Sequence, residues 1–275
     1  MTAPAGGGGN APNPVAQIIA TRTVQVGGLA LLALLGLKKA LPPERFRPLV
    51  PLGGAFVTTG LSAYFVATFA PRLPLGAPLL TRLPPHTGPN TVALTFDDGP
   101  HPDTTPRILD LLRAHDAKAT FFVVGEAVAR HPCLVRRIAD EGHTLGIHGL
   151  RHRTMVLQNG PSILADLRET ARRIALAAPG APPTRLFRPP YGFKTLTLSR
   201  AATRSGLQLV AWSLDPRDYD GVSSAADIEA HLGARLRPGD IVLLHERPGT
   251  MHTLDALPGI LAHIAARGLR CVEIR

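Results

Sequence analysis

Acidic residues are almost missing from the first third of this 275-residue chain: residues 1–89 contain one, Glu44, against seven arginines and lysines. Residues 90–275 contain 19 acids and 23 bases, so the overall net charge of +10 splits into +6 and +4. A nucleic-acid binder should carry its basic stripe on the folded domain. Here the larger part is mixed in sign, which argues against nucleic acid as a partner. The surplus near the N-terminus suits an anionic membrane or a cell-wall polymer. Cysteine is scarce too, with Cys133 and Cys271 reading as two buried thiols unless an oxidising compartment pairs them. The single tryptophan, Trp212, lies in an apolar run and reads as core. Neither a dinucleotide Gly fingerprint nor a phosphate loop is present.

What is there begins with residues 1–14, rich in Gly and Pro and expected to be disordered. Residues 15–70 read as a membrane segment of two helices. Thr23–Leu37 is uncharged but short, and it reaches spanning length only if extended back to Val15 past Arg22. Leu49–Ala70 has no charge over 22 residues. Lys38, Lys39, Arg45 and Arg47 fall in the connecting loop, so the positive-inside rule puts the loop in the cytoplasm and residues 71–275 outside. The expected location is the cell membrane, with residues 71–275 extracytoplasmic. A single signal-anchor, a cleaved signal peptide and a hairpin packed on the domain are the rival readings. Residues 71–90, with six prolines, read as a stiff tether that holds a domain off its anchor.

From Thr91 onward the pattern alternates. Strand candidates at 91–96, 119–124, 143–148, 185–188, 207–214, 240–245 and 269–274 are separated by helical patterns, which predicts an α/β fold with a parallel sheet. Polar clusters recur at the strands' C-terminal ends, and barrels gather their chemistry there, so a barrel-like closure is expected. An open doubly wound sheet is the alternative.

The clusters are Thr95-Phe96-Asp97-Asp98-Gly99, His148-Gly149-Leu150-Arg151-His152, Phe187-Arg188-Pro189-Pro190-Tyr191-Gly192, Asp215-Pro216-Arg217-Asp218 and Leu243-Leu244-His245. Adjacent side chains in an extended segment point different ways, so Asp97 and Asp98 can serve two roles; a plain Asp-Gly turn is the bland reading. His148 and His152 can reach one ion and, with an acid from another strand, give two imidazoles and a carboxylate around a divalent metal. Other histidines, including His101, His115, His131, His143 and His231, read as surface accidents. Pro189 and Pro190 remove two backbone donors, leaving the Tyr191 N–H as the first available one. His245, at the mouth of an apolar strand, reads as a general acid or as a satisfied core histidine.

Taken in order, these motifs resemble the polysaccharide deacetylase family with its NodB homology domain, over residues 91–275. That resemblance implies a distorted (β/α) barrel of about seven parallel strands and a divalent metal, usually zinc, with cobalt, nickel or manganese as alternatives. It implies Asp97 as catalytic base, Asp98, His148 and His152 as metal ligands, the Tyr191 N–H as oxyanion donor and His245 as general acid. It further implies that Arg188 orients Asp97 and that Asp215 pairs with His245. Two departures stand out: Gly149 where the family usually has Ser or Thr, and Tyr219 where Trp is frequent. The expected activity is removal of N-acetyl groups from an acetylated cell-envelope polysaccharide, peptidoglycan or chitin-like. The alternatives are an O-acetyl esterase on xylan-type glycans and a non-catalytic glycan-binding protein. The presence of every proton-handling residue and ligand argues against the last.

Overall fold

Thr91–Asp97 (β2) is buried at all seven positions, as a strand covered on both faces must be. Val92, Leu94 and Phe96 join one apolar cluster that includes the buried faces of the surrounding helices. Ala93 joins a second, smaller cluster with Phe122, Leu186, Trp212 and Leu243, enclosed by the sheet. Thr95 and Asp97 share the parity of Ala93 and so face that enclosed side.

A computed structural model describes residues 50–70, 72–247, 249 and 251–275. Around β2 run Leu79–Leu80 (β1), Ala119–Val123 (β3), Thr144–Ile147 (β4), Leu186–Phe187 (β5), Gln208–Val210 (β6), Ile241–His245 (β7) and Arg270–Cys271 (β8). Their order is β1-β6-β5-β4-β3-β2-β7, with β8 on β2, and every strand pairing is parallel. A parallel bridge between Leu214 and Val242 links the chain beyond β6 to β7 and brings the two flanks of the sheet together. The seven strands of this path form a half-barrel of parallel strands, which fits the expected distorted (β/α) barrel.

The helices are Val50–Phe69 (α1), Thr105–Ala114 (α2), Gly125–Arg130 (α3), Pro132–Asp140 (α4), Gly160–Ala177 (α5), Leu196–Arg204 (α6), Ala225–Arg235 (α7) and Met251–Ala266 (α8). Polar caps mark several starts: Asn159 accepts from Ser162 N–H, and Ser224 forms a capping box with Asp227. Two short elements, α3 and β1, have no counterpart in the sequence pattern, being too brief to show a period.

The described residues bear on three expectations. The apolar stretch Leu49–Ala70 is a helix, but among the described residues no helix is long and apolar enough to cross a membrane. The end of this helix packs on the barrel through buried Ala67 and Thr68. The first apolar stretch and residues 1–14 lie outside the described residues. The proline-rich segment is not a free tether either. Leu75 and Leu83 are buried, β1 pairs with β6, and Arg82 donates to the buried Asp240 at 2.5 Å. Proline is tolerated on such an edge, where N–H groups face away from a ladder. Lastly, His143 is buried rather than superficial; its Nδ1 accepts from Ala119 N–H, and burial pushes its pKa down to about 4.

Shortening the chain separates a packed segment from a tether. A chain starting at residue 91 should be less stable than one starting at residue 72 by roughly 5 kcal/mol, from two lost leucines and a buried carboxylate deprived of its guanidinium partner. Urea unfolding of the two chains checks this; equal midpoints would restore the tether.

Candidate active site

The register of the sheet sets the site. Asp97 on β2 is the lateral partner of Phe122 on β3 and of His245 on β7. His148 follows β4 and Arg188 follows β5, so four strands deliver chemistry to one end of the barrel.

Arg188 is fully buried, an expensive place for a cation unless its donors are answered. Its Nη1 donates to Asp97 Oδ1 at 2.7 Å and to Thr95 Oγ1 at 2.7 Å, and its Nη2 donates to the Ala211 carbonyl at 2.9 Å. The guanidinium also lies over the Phe122 ring, 4.1 Å from its centroid. Burial works to lower the Arg188 pKa and Asp97 opposes it, but a guanidinium stays charged in proteins. The predicted partnership of Arg188 with Asp97 is thus present, and Thr95 belongs to it as well.

Asp98 turns the other way. It adopts φ 76°, a left-handed conformation rare outside glycine, and its Oδ1 sits 3.3 Å from His148 Nε2 and 3.1 Å from His152 Nε2. One ligand atom from each of the three residues falls within a 4.8 Å cluster. Asp98 Oδ1 is buried with no hydrogen-bond partner among the described residues, and both imidazoles direct Nε2 at it. His148 Nδ1 is occupied by the Arg188 carbonyl at 2.7 Å, which assigns its proton to Nδ1 and leaves Nε2 as a lone pair. This donor set fits a divalent metal of the zinc type. Burial works to raise the Asp98 pKa, but His148, His152 and His245 hold it below the usual carboxylate range. Burial works to lower that of His148, and Asp97 and Asp98 outweigh it.

Gly149 explains its own departure from the resemblance. Its φ is +81°, and a Cβ there would sit 3.1 Å from Met155 Cε and 3.2 Å from the Arg151 carbonyl. A side chain is strained at that backbone, so no hydroxyl takes part. Asp166 holds the loop between the two histidines: its Oδ1 accepts from Leu150 N–H at 2.7 Å, and burial pushes its pKa up to about 6. Nothing in the spacing of the chain marked Asp166. Nor did it mark Glu246, wholly buried beneath Gly99, where an added Cβ would fall 1.6 Å from Glu246 Oε1.

One predicted pairing is wrong. His245 Nδ1 contacts Asp218 Oδ1 at 2.7 Å, and Asp218 Oδ2 also accepts from His245 N–H and Thr253 Oγ1. Asp215 lies on the cavity wall instead, accepting from Arg217 N–H and, at 3.2 Å, from the Tyr219 hydroxyl. The turn explains the exchange: Arg217 has φ 60°, which reverses the chain so that Asp218 points inward. Tyr219 fills the position of the frequent tryptophan and meets His245 edge-on, with centroids 5.1 Å apart.

Tyr191 has φ 62° and lies at the cavity, its ring 4.7 Å from that of His152. Among the described residues, three of the four non-glycine residues with positive φ, Asp98, Tyr191 and Arg217, thus lie at or beside this site, where backbone strain tends to cluster. The cavity measures about 610 Å³ and is lined by Asp97, Asp98, His148, His152, Tyr191 and His245 among others. Burial disfavours the imidazolium of His245, but Asp218 foremost, then Asp97 and Asp98, raise its pKa. Asp218→Asn should therefore lower the His245 pKa in an NMR titration, whereas Asp215→Asn should lower it less; the reverse order would restore the Asp215 pairing.

Residues 85–210 match the family model described as polysaccharide deacetylase. The chain is 37% identical over 185 residues to a peptidoglycan-N-acetylglucosamine deacetylase of Bacillus cereus, covering 66% of each chain. It is 40% identical over 160 residues to a chitooligosaccharide deacetylase of Bradyrhizobium, covering 58% of this chain and 72% of that one. A crystal structure of a peptidoglycan N-acetylglucosamine deacetylase superposes with a TM-score of 0.67 at 34% identity, over 71% of this chain and 90% of the other. With the ordered motifs gathered at one barrel mouth, these likenesses establish that the chain belongs to the polysaccharide deacetylase family and is an enzyme of that class.

Proposed function

We propose that the protein removes N-acetyl groups from an N-acetylglucosamine-containing polysaccharide of the cell envelope, peptidoglycan or chitin-like. The observation that carries this reading is the lateral pairing of Asp97 with His245 across β2 and β7, each with its own buried counter-charge, beside a cluster of metal donors. Amide hydrolysis needs a base for water and an acid for the departing nitrogen, and the two must hold opposite protonation states at one pH.

Asp98, His148 and His152 would hold the divalent metal, most suitably zinc, which supplies Lewis acidity toward the acyl oxygen and makes nearby water more acidic. Asp97 has Oδ1 committed to Arg188, so Oδ2 is the oxygen left to take the proton from the attacking water. Charge developing on the acyl oxygen is met by the Tyr191 N–H, the first donor after the Pro-Pro pair. His245, braced through Nδ1 by Asp218, gives its proton to the sugar nitrogen as the carbon–nitrogen bond breaks. An amine leaves far better than an amide anion, so this proton matters more for N-acetyl than for O-acetyl groups. Asp215 and Tyr219 shape the wall against which the sugar lies.

An envelope substrate requires the catalytic domain to act outside the cytoplasm, and residues 15–37 offer an apolar anchor for it; a reporter fused at residue 85 that stays cytoplasmic would oppose that placement. The chemical claim is checked by acetate release from N-acetylglucosamine oligomers. Asp97→Asn and His245→Ala should each lower the rate by about 10²–10⁴, and parent-like rates in either variant would overturn the mechanism.

A further inference from the structure

Glu246 has no part in the chemistry above. It follows His245 at the end of β7 and is fully buried. Most of its polar atoms are tied to the segment at the end of β2 and beyond. Its N–H donates to the Asp97 carbonyl at 3.0 Å, and its own carbonyl accepts from Thr104 Oγ1 at 2.8 Å. Its Oε2 accepts from Thr105 Oγ1, which in turn accepts from His101 N–H at 2.8 Å. Oε1 has no hydrogen-bond partner among the described residues.

Oε1 is pressed against Gly99 instead. A Cβ added at Gly99 would overlap Oε1, Cδ and Cγ of Glu246. Gly99 is not among the glycines with positive φ, so its backbone conformation does not call for glycine. Close approach does: the Glu246 carboxyl occupies the place that a side chain would take. The Gly99 carbonyl, in turn, accepts from Val124 N–H at 2.9 Å. Gly99 is thereby held between the ends of β7 and β3, directly after Asp98. The left-handed backbone of Asp98, φ 76°, is what aims its carboxylate at His148 and His152.

We infer that Glu246 is a positioning residue for the metal donors: by filling the space at Gly99 and tying residues 97–105 to β7, it holds Asp98 in the conformation that reaches both histidines. The inference rests on reading Asp98, His148 and His152 as metal ligands, and it adds the residue that keeps Asp98 in place. Shape and hydrogen bonding carry the role. Burial above all raises the Glu246 pKa well above the usual carboxylate range; the Thr105 hydroxyl opposes this, while Asp98 and Asp97 add to it. The fold thus favours an uncharged acid, which puts no third negative charge beside Asp97 and Asp98.

The test uses the full chain carrying Gly99→Ala, Glu246→Ala, the two combined, or Glu246→Gln. Zinc affinity is measured by competition with a chelating dye, and the Tm of each metal-free chain by calorimetry. Gly99→Ala should weaken zinc binding by about tenfold, the scale at which groups supporting metal ligands act. Combining it with Glu246→Ala should recover most of that loss, because the methyl then has the room the carboxyl left. Glu246→Gln keeps the volume and an acceptor for Thr105, and should bind zinc as the parent does. A side chain that merely filled the core would change Tm and leave the zinc affinity of the folded chain alone. Gly99→Ala with the parent's affinity, a double variant no better than Gly99→Ala, or a Glu246→Gln chain that loses zinc would each overturn the inference. Should Glu246→Ala fail to fold, Gly99→Ala and Glu246→Gln still decide. A parent that binds no zinc would overturn the metal reading and this inference with it. None of these readouts needs a substrate, so a parent that binds zinc but releases no acetate would count against the deacetylase reading alone.

Discussion

The ion pair between Arg188 and Asp97 is the constraint on which the site depends. A guanidinium sealed inside a barrel is costly, and the barrel offsets this with a carboxylate, a hydroxyl and a carbonyl on the two terminal nitrogens and an aromatic face, while Nε has no hydrogen-bond partner among the described residues. The same residue acts twice. Its side chain fixes Asp97, while its carbonyl occupies His148 Nδ1 and so determines which nitrogen of that ring turns toward Asp98. Asp97 and the Asp98–His148–His152 cluster are therefore positioned by one residue at the end of β5, and a shift there would disturb both.

From that pair follows the division of labour between neighbouring aspartates. Asp97 ends a strand with its side chain on the enclosed side, where Arg188 and the lateral neighbour His245 lie. Asp98 follows with a left-handed backbone that swings its carboxylate toward His148 and His152. The two carboxylates are adjacent in sequence yet sit in different electrostatic surroundings. On the far side, Asp218 braces His245 through two hydrogen bonds and is itself held by a third from Thr253, so His245 is fixed as Asp97 is.

Much of this was legible in the sequence because strand ends carry signals of their own: an apolar run, then a charged or imidazole side chain. The parallel sheet, the Asp98–His148–His152 cluster and the Arg188–Asp97 pair followed from those signals and from the family resemblance. The choice between Asp215 and Asp218 did not, since spacing alone cannot say which end of Asp-Pro-Arg-Asp faces inward. A single positive φ at Arg217 decides it. Asp166 and Glu246 were invisible for a similar reason: each supports the site from a position whose burial only the tertiary fold creates. The proline-rich segment misled because composition describes stiffness and not packing, and Leu75, Leu80 and Leu83 among the prolines are what bind it to the barrel.

The central claim is that two adjacent carboxylates hold separate offices, one moving a proton and one holding a metal. Zinc content per folded chain, measured on Asp97→Asn and Asp98→Asn after equilibration with zinc, tests it most directly. The account predicts about one zinc in Asp97→Asn, as in the parent, and a large loss in Asp98→Asn, since removing one of three protein ligands weakens a site severely. Loss of zinc from Asp97→Asn with retention in Asp98→Asn would contradict it.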